Sequence, residues 1–160
     1  MKNKSNNRKY IRFVSVVVFL VYMVILIYFV FLSDGFSRDT GYTEYRYNLV
    51  PFLEIKRFMT SSSLSLSVIA TNMAGNVVAF VPFGTLFRWV RNKKIGWLKT
   101  TCITFLFSLL IETVQLVTRV GVFDVDDLML NTLGGLIGYI VYIILAHSYN
   151  RYIQRRDSRR

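Results

Sequence analysis

The chain of 160 residues is 53% hydrophobic and 16% aromatic, with a mean hydropathy of +0.40 and a formal net charge of +11. It is too apolar for a soluble domain of this length, and its single cysteine, Cys102, excludes an intrachain disulfide and argues against redox chemistry. The basic excess raises nucleic acid as a partner, but fifteen of the twenty Lys and Arg fall in three clusters, at Lys2–Arg12, Arg88–Lys99 and Arg151–Arg160, a placement with a different explanation.

Four apolar stretches carry the excess, at about 13–32, 68–87, 97–118 and 128–147. Each is about 20 residues long, and ~20 residues at ~1.5 Å rise cross the ~30 Å hydrocarbon core of a bilayer. A buried helix of a soluble protein is the alternative for any one of them, but four leave too little polar chain to cover them. The expected fold is therefore all-α: a polytopic membrane protein with four transmembrane helices. Residues 1–12 form a basic N-terminus, 13–147 the membrane domain and 148–160 a basic tail. The three basic clusters then share one side, while the other two connections hold five basic residues (Arg38, Arg46, Lys56, Arg57, Arg119) against seven acids. That asymmetry places both termini in the cytoplasm and makes the charge an anchor to anionic headgroups, with no role left for nucleic acid.

Span one, Phe13–Leu32, is continuously apolar, with Tyr22 and Tyr28 its only polar tips, and reads as a lipid-facing helix without chemistry. Its length and the lack of a small-x-small site after it point to a retained signal anchor. In the outer segment that follows, Pro51 suits a first helical turn, and Phe52, Ile55, Phe58 and Met59 fall opposite Glu54, Lys56 and Arg57. A short amphipathic helix on the outer membrane surface is expected there, with a plain loop as the alternative. Five serines within Ser61–Ser67 give a flexible lead into span two. Span two brings Asn72 and Asn76 near its outer end, and Pro82 frees the carbonyl of Val78, which favours a kink.

Span three carries Glu112, an acid inside an apolar run about ~9 Å below Thr118. A carboxylate there is costly, which makes it a functional candidate. Gln115 and Arg119 follow at i+3 and i+7 on the same face. After the acidic turn, Asp124, Asp127 and Asn131 repeat that spacing into span four, where Gly134, Gly135 and Gly138 read as helix-packing positions. His147 marks the cytoplasmic end of span four and is read as interfacial.

All three polar stripes lie in the outer half of the membrane or at its edge, and polar faces in a bilayer turn toward one another or toward a wet cavity. A simpler reading exists for each part. Asp124, Asp126 and Asp127 suit the N-terminal dipole and cap of span four, Arg119 can pair with Asp126 or Asp127 across the turn, and Asn72 and Asn76 can serve as interhelical hydrogen bonds. Glu112 resists such a reading, because glutamine would pack as well without the cost of ionisation. No metal is expected: an EF-hand counted from Asp124 would need Gly and Glu where Met129 and Gly135 stand. No cofactor is expected either.

The segments NLVPF (Asn48–Phe52), NMAGNVVAFVPFG (Asn72–Gly84), ETVQ (Glu112–Gln115) and RVGVFDVDDLMLNTLGGLIGY (Arg119–Tyr139) together resemble the VanZ-like family. The resemblance covers roughly residues 13–147 and adds Asn48 to the candidate cluster. It implies a small protein of the bacterial cytoplasmic membrane, in a family named for a member associated with low-level resistance to the lipoglycopeptide teicoplanin. The expectation is a non-enzymatic protein lowering sensitivity to lipoglycopeptides through an outer-leaflet polar cluster that engages a membrane lipid, an envelope component or the antibiotic. The alternatives are a membrane enzyme on a lipid-linked phosphate or glycan, using Glu112, Asp127 and Arg119, and a non-catalytic scaffold for envelope assembly.

Overall fold

The computed structural model describes residues 2–31, 44–53, 56, 60, 66–90 and 95–158, the side chains of 2–9, 11, 66–72 and 157 aside. Four helices dominate: α1 (Lys2–Phe31), α2 (Leu66–Val90), α3 (Trp97–Thr118) and α4 (Val125–Asp157). Each is long and apolar enough to cross a membrane, and the chain is a multi-pass membrane protein. α1 and α4 outrun their apolar stretches, because helical hydrogen bonds need no hydrocarbon. Arg155 and Arg156 in the last turn of α4 also favour its C-terminal dipole.

Hydrocarbon provides no hydrophobic drive between helices, so close approach has to supply contact. Glycines on α4 permit it on two sides. A Cβ on Gly134 would meet the Val77 carbonyl oxygen at 2.2 Å, and one on Gly138 would meet that of Val81 at 2.1 Å. Gly84 on α2 faces back, with its Cβ position 2.0 Å from the Gly135 oxygen. Gly135 itself turns to α3, where a Cβ would lie 2.3 Å from Thr104 Oγ1. The Thr85 hydroxyl fastens the same seam, donating to Val81 O at 3.0 Å and Gly138 O at 2.9 Å. α2 runs through Pro82 as one helix.

Leu26, Phe80, Phe83 and Ile111 form the buried core, with the rings of Phe83 and Phe107 stacked at 4.8 Å. α1 is the outlying helix: 6% of its apolar stretch is buried, against 28% for α3 and α4. It is nevertheless tied in. Tyr22 donates its hydroxyl to Ala79 O at 2.7 Å, so a lipid-facing helix without chemistry is an incomplete description of span one.

One element is absent from any pattern in the sequence. Tyr47–Asn48 (β1) pairs in parallel with Phe123–Asp124 (β2), tying the first connection to the turn between α3 and α4. The expected surface helix falls mostly on residues 54, 55 and 57–59, outside the described residues. It cannot begin at Pro51, because Pro51 and Phe52 form a turn and Phe52 has φ +63°, a left-handed value that no helical turn contains.

Candidate functional site

The turn after α3 builds the site. Arg119 caps α3 in the left-handed region (φ 57°), and the Gln115 carbonyl accepts from Val120 N at 3.1 Å and Gly121 N at 3.3 Å. That sharp stop returns the chain so that Asp124 lies against α3, where its N–H donates to Glu112 Oε2 at 3.1 Å. Asp124 in turn N-caps α4, Oδ1 accepting from Asp126 N at 2.7 Å. A cap of this kind contributes about 1 kcal/mol.

The NLVPF segment docks on this acidic turn. Asn48 Oδ1 accepts from Val50 N at 3.1 Å, and Asn48 Nδ2 donates to both Asp124 oxygens at 3.2 Å. Phe52 then gives its N–H to Asp126 Oδ1 at 2.5 Å. The left-handed conformation of Phe52 costs roughly 1–3 kcal/mol, which the hydrogen bond to a carboxylate helps offset. Asp124 and Asp126 are thus buried and engaged in holding the loop. Asn48 reaches Asp124 from a segment 76 residues away in sequence.

Beneath this knot lies a cavity of about 330 Å³ walled by all four helices. Its polar lining is Asn76, Glu112, Gln115, Asp127 and Asn131, and Leu26, Phe29 and Val30 of α1 form an apolar side. Asn76 donates to Asp127 across α2 and α4. Gln115 Nε2 donates to Val30 O at 3.2 Å, tying α3 to the last described turn of α1. Asn131 donates to Ser108 Oγ at 2.9 Å, while its Oδ1 is buried without a hydrogen-bond partner among the described residues.

Five of the ten candidates therefore share one cavity, and Asn48, Asp124 and Asp126 form the knot above it. The side chain of Asn72 lies outside the described residues. Arg119 departs from expectation: it is exposed, and its guanidinium stands 4.7 Å over the Tyr45 ring. No ion pair joins it to Asp126 or Asp127 among the described residues, because its left-handed cap position swings it outward, away from the start of α4. The enzyme alternative, which joined Arg119 to Glu112 and Asp127, therefore lacks that third member inside the cavity. No group of three acidic, His or Cys side chains suited to a metal ion occurs among the described residues.

Reading by residue type missed Ser108 and the α1 wall. The signal for Ser108 was present in the spacing: Thr100, Thr104, Ser108 and Glu112 recur every fourth residue on α3, and all four are buried. The wall from α1 had no signal, since a carbonyl oxygen and three apolar side chains look the same on any lipid-facing helix.

A family model for VanZ/LLP1 matches residues 19–146. Protein VanZ of Enterococcus faecium is 31% identical over 124 residues, covering 76% of this chain and 69% of that protein. No solved structure matches the chain significantly. The match spans the cavity, the acidic turn and the glycine seam together, and the chain belongs to the VanZ/LLP1 family.

Proposed function

We propose that this protein resides in the bacterial cytoplasmic membrane, with both termini inside, and lowers sensitivity to teicoplanin-type lipoglycopeptides without catalysis. The observation that carries this reading is the cavity: Asn76, Glu112, Gln115, Asp127 and Asn131 line one space at the bundle end where the NLVPF loop docks. The fifteen-to-five division of basic residues supports an outward-facing position for that end. There the cavity meets outer-leaflet lipid or an envelope component, where such antibiotics act. A surface helix after Phe52 completes the arrangement. It is supported by Lys56 N donating to Phe52 O at 2.8 Å and Thr60 Oγ1 to Lys56 O at 2.9 Å.

The test is susceptibility of one strain with and without the chain, using teicoplanin beside vancomycin, which lacks the lipid tail. Protection against teicoplanin alone is expected, and equal protection against both overturns a lipid-directed mechanism. Reporter fusions after Lys94 and Arg160 are expected to read cytoplasm, and one within 41–47 to read outside.

A second reading, a membrane enzyme on a lipid-linked glycan or phosphate, draws on Glu112 and Asp127 lining one cavity, as a carboxylate pair does in acid–base work. The position of Arg119 favours glycan over phosphate. Glu112→Gln separates the readings: proton transfer is abolished by it, whereas a binding role keeps partial protection because the amide oxygen still accepts from Asp124 N.

A further inference from the structure

The end of the bundle opposite the cavity has an opening of its own. Near the start of α1 and the end of α2, Tyr10, Val14, Ser15 and Val18 face Leu86 and Trp89 across a groove of about 290 Å³. Tyr10, Val14 and Val18 recur every fourth residue and so share one face of α1. Phe19, next along the helix, packs on Phe83 and Phe87 at 5.8 and 6.4 Å, which fixes α1 against α2 beside the groove. Val14, Val18 and Leu86 make the lining apolar. Tyr10 and Trp89 add amphipathic rings of the kind found where hydrocarbon meets headgroups. Trp89 stands edge-on to Tyr142 at 5.6 Å, and the Arg88 guanidinium lies 5.2 Å over the same ring.

Charge sets this end apart. The segments Lys2–Arg12, Arg88–Lys99 and Arg151–Arg160 hold fifteen Lys and Arg, and of the nine acids in the chain only Asp157 falls within them. An apolar groove in such a field suits an apolar chain that ends in an anion. A peptide segment would leave backbone groups without partners against Val14, Val18 and Leu86. A second copy of this chain, inserted the same way, would bring its own basic end against the first.

We propose that the groove between α1 and α2 binds an anionic phospholipid, one acyl chain lying along Val14, Val18 and Leu86 and the phosphate set among the cations of the basic end. The site shares no residue with the polar cavity, and the proposed function neither needs it nor is needed by it.

The experiment uses the full chain in phosphatidylcholine vesicles and reads its two tryptophans one at a time, Trp89 in Trp97→Phe and Trp97 in Trp89→Phe. Trp97 is 57% exposed at the same end but does not line the groove, so it reports surrounding lipid under the same charge. Phospholipid with brominated acyl chains quenches a tryptophan that the chains touch. Brominated phosphatidylglycerol is expected to quench Trp89 with an apparent affinity about fivefold or more above that of brominated phosphatidylcholine, and to show a smaller preference at Trp97. Val14→Phe with Val18→Phe occupies the groove from two positions that are 39% and 45% exposed. It should reduce the preference at Trp89 to that at Trp97 while melting temperature holds. Lys9→Gln with Arg12→Gln should lower the preference about threefold or more, and salt at about 1 M should do the same by screening. Equal quenching of Trp89 by the two lipids, an equal preference at Trp97, or a preference undiminished in the double-phenylalanine variant overturns the site. Quenching of Trp89 by neither lipid would mean that protein, a second copy included, covers the groove, and overturns it as well.

Discussion

Two stretches of α4 lie a turn apart and are held by opposite means. From Gly134 to Gly138 the helix meets the backbone of α2 and the Thr104 side chain of α3, and added Cβ atoms would fall 2.1–2.3 Å from their neighbours. From Asp124 to Asn131 it meets them through hydrogen-bonding side chains around an open space of about 330 Å³. In lipid both are effective forms of adhesion, because apolar contact alone does not distinguish a helix from an acyl chain. The difference lies in completeness. The seam has no room left, whereas the polar region keeps a volume and an acceptor unspent, so the first serves the fold and the second is free to serve a ligand.

The largest effect expected from breaking this contrast is in the seam. Gly84→Val or Gly135→Val would drive side chain into backbone or into Thr104, and should cost about 3 kcal/mol or more, read as failure to accumulate in the membrane or a collapsed melting temperature in detergent. Normal accumulation of both variants would show that the helices sit farther apart.

Asn48→Ala is expected to have the next largest effect. It removes two hydrogen bonds to Asp124 and the turn at Val50, for a loss of about 1–3 kcal/mol. The NLVPF loop should become sensitive to protease while the helices remain intact. An unchanged digestion pattern would mean the loop is held by the β1–β2 pairing alone.

Arg119→Gly sharpens the comparison from the margin. The substitution loses an exposed cation–π contact of about 0.5–1 kcal/mol but relieves a left-handed position that glycine adopts freely. Net stability should change by less than about 1 kcal/mol, and teicoplanin protection should persist because the guanidinium is outside the cavity. Loss of protection at normal accumulation would put Arg119 in contact with something beyond the protein. The smallest stability effect is expected at Gly75→Leu, near zero in melting temperature because a Cβ there meets nothing within 4 Å, with protection lost because the cavity that Gly75 lines is filled. Retained protection would detach function from the cavity.

The sequence alone determined that four helices cross a membrane, since length and hydropathy of 13–32, 68–87, 97–118 and 128–147 are local properties. It also marked Asn76, Glu112, Gln115, Asp127 and Asn131, because polar side chains in hydrocarbon must find one another and their helical spacings were readable. It did not determine Arg119, whose direction depends on one left-handed backbone position rather than on its distance from the aspartates. Nor did it reveal Ser108 as the partner of Asn131, although the fourfold spacing of Thr100, Thr104, Ser108 and Glu112 contained that information. Tertiary structure decided what joins distant segments: the β1–β2 pairing, the docking of Asn48 and Phe52 on Asp124 and Asp126, and the apolar wall lent by α1. Backbone N–H and C=O groups enter several of those contacts, at the β1–β2 pairing, Phe52 and Val30. Every residue except proline has both, so only the folded chain specifies which ones meet.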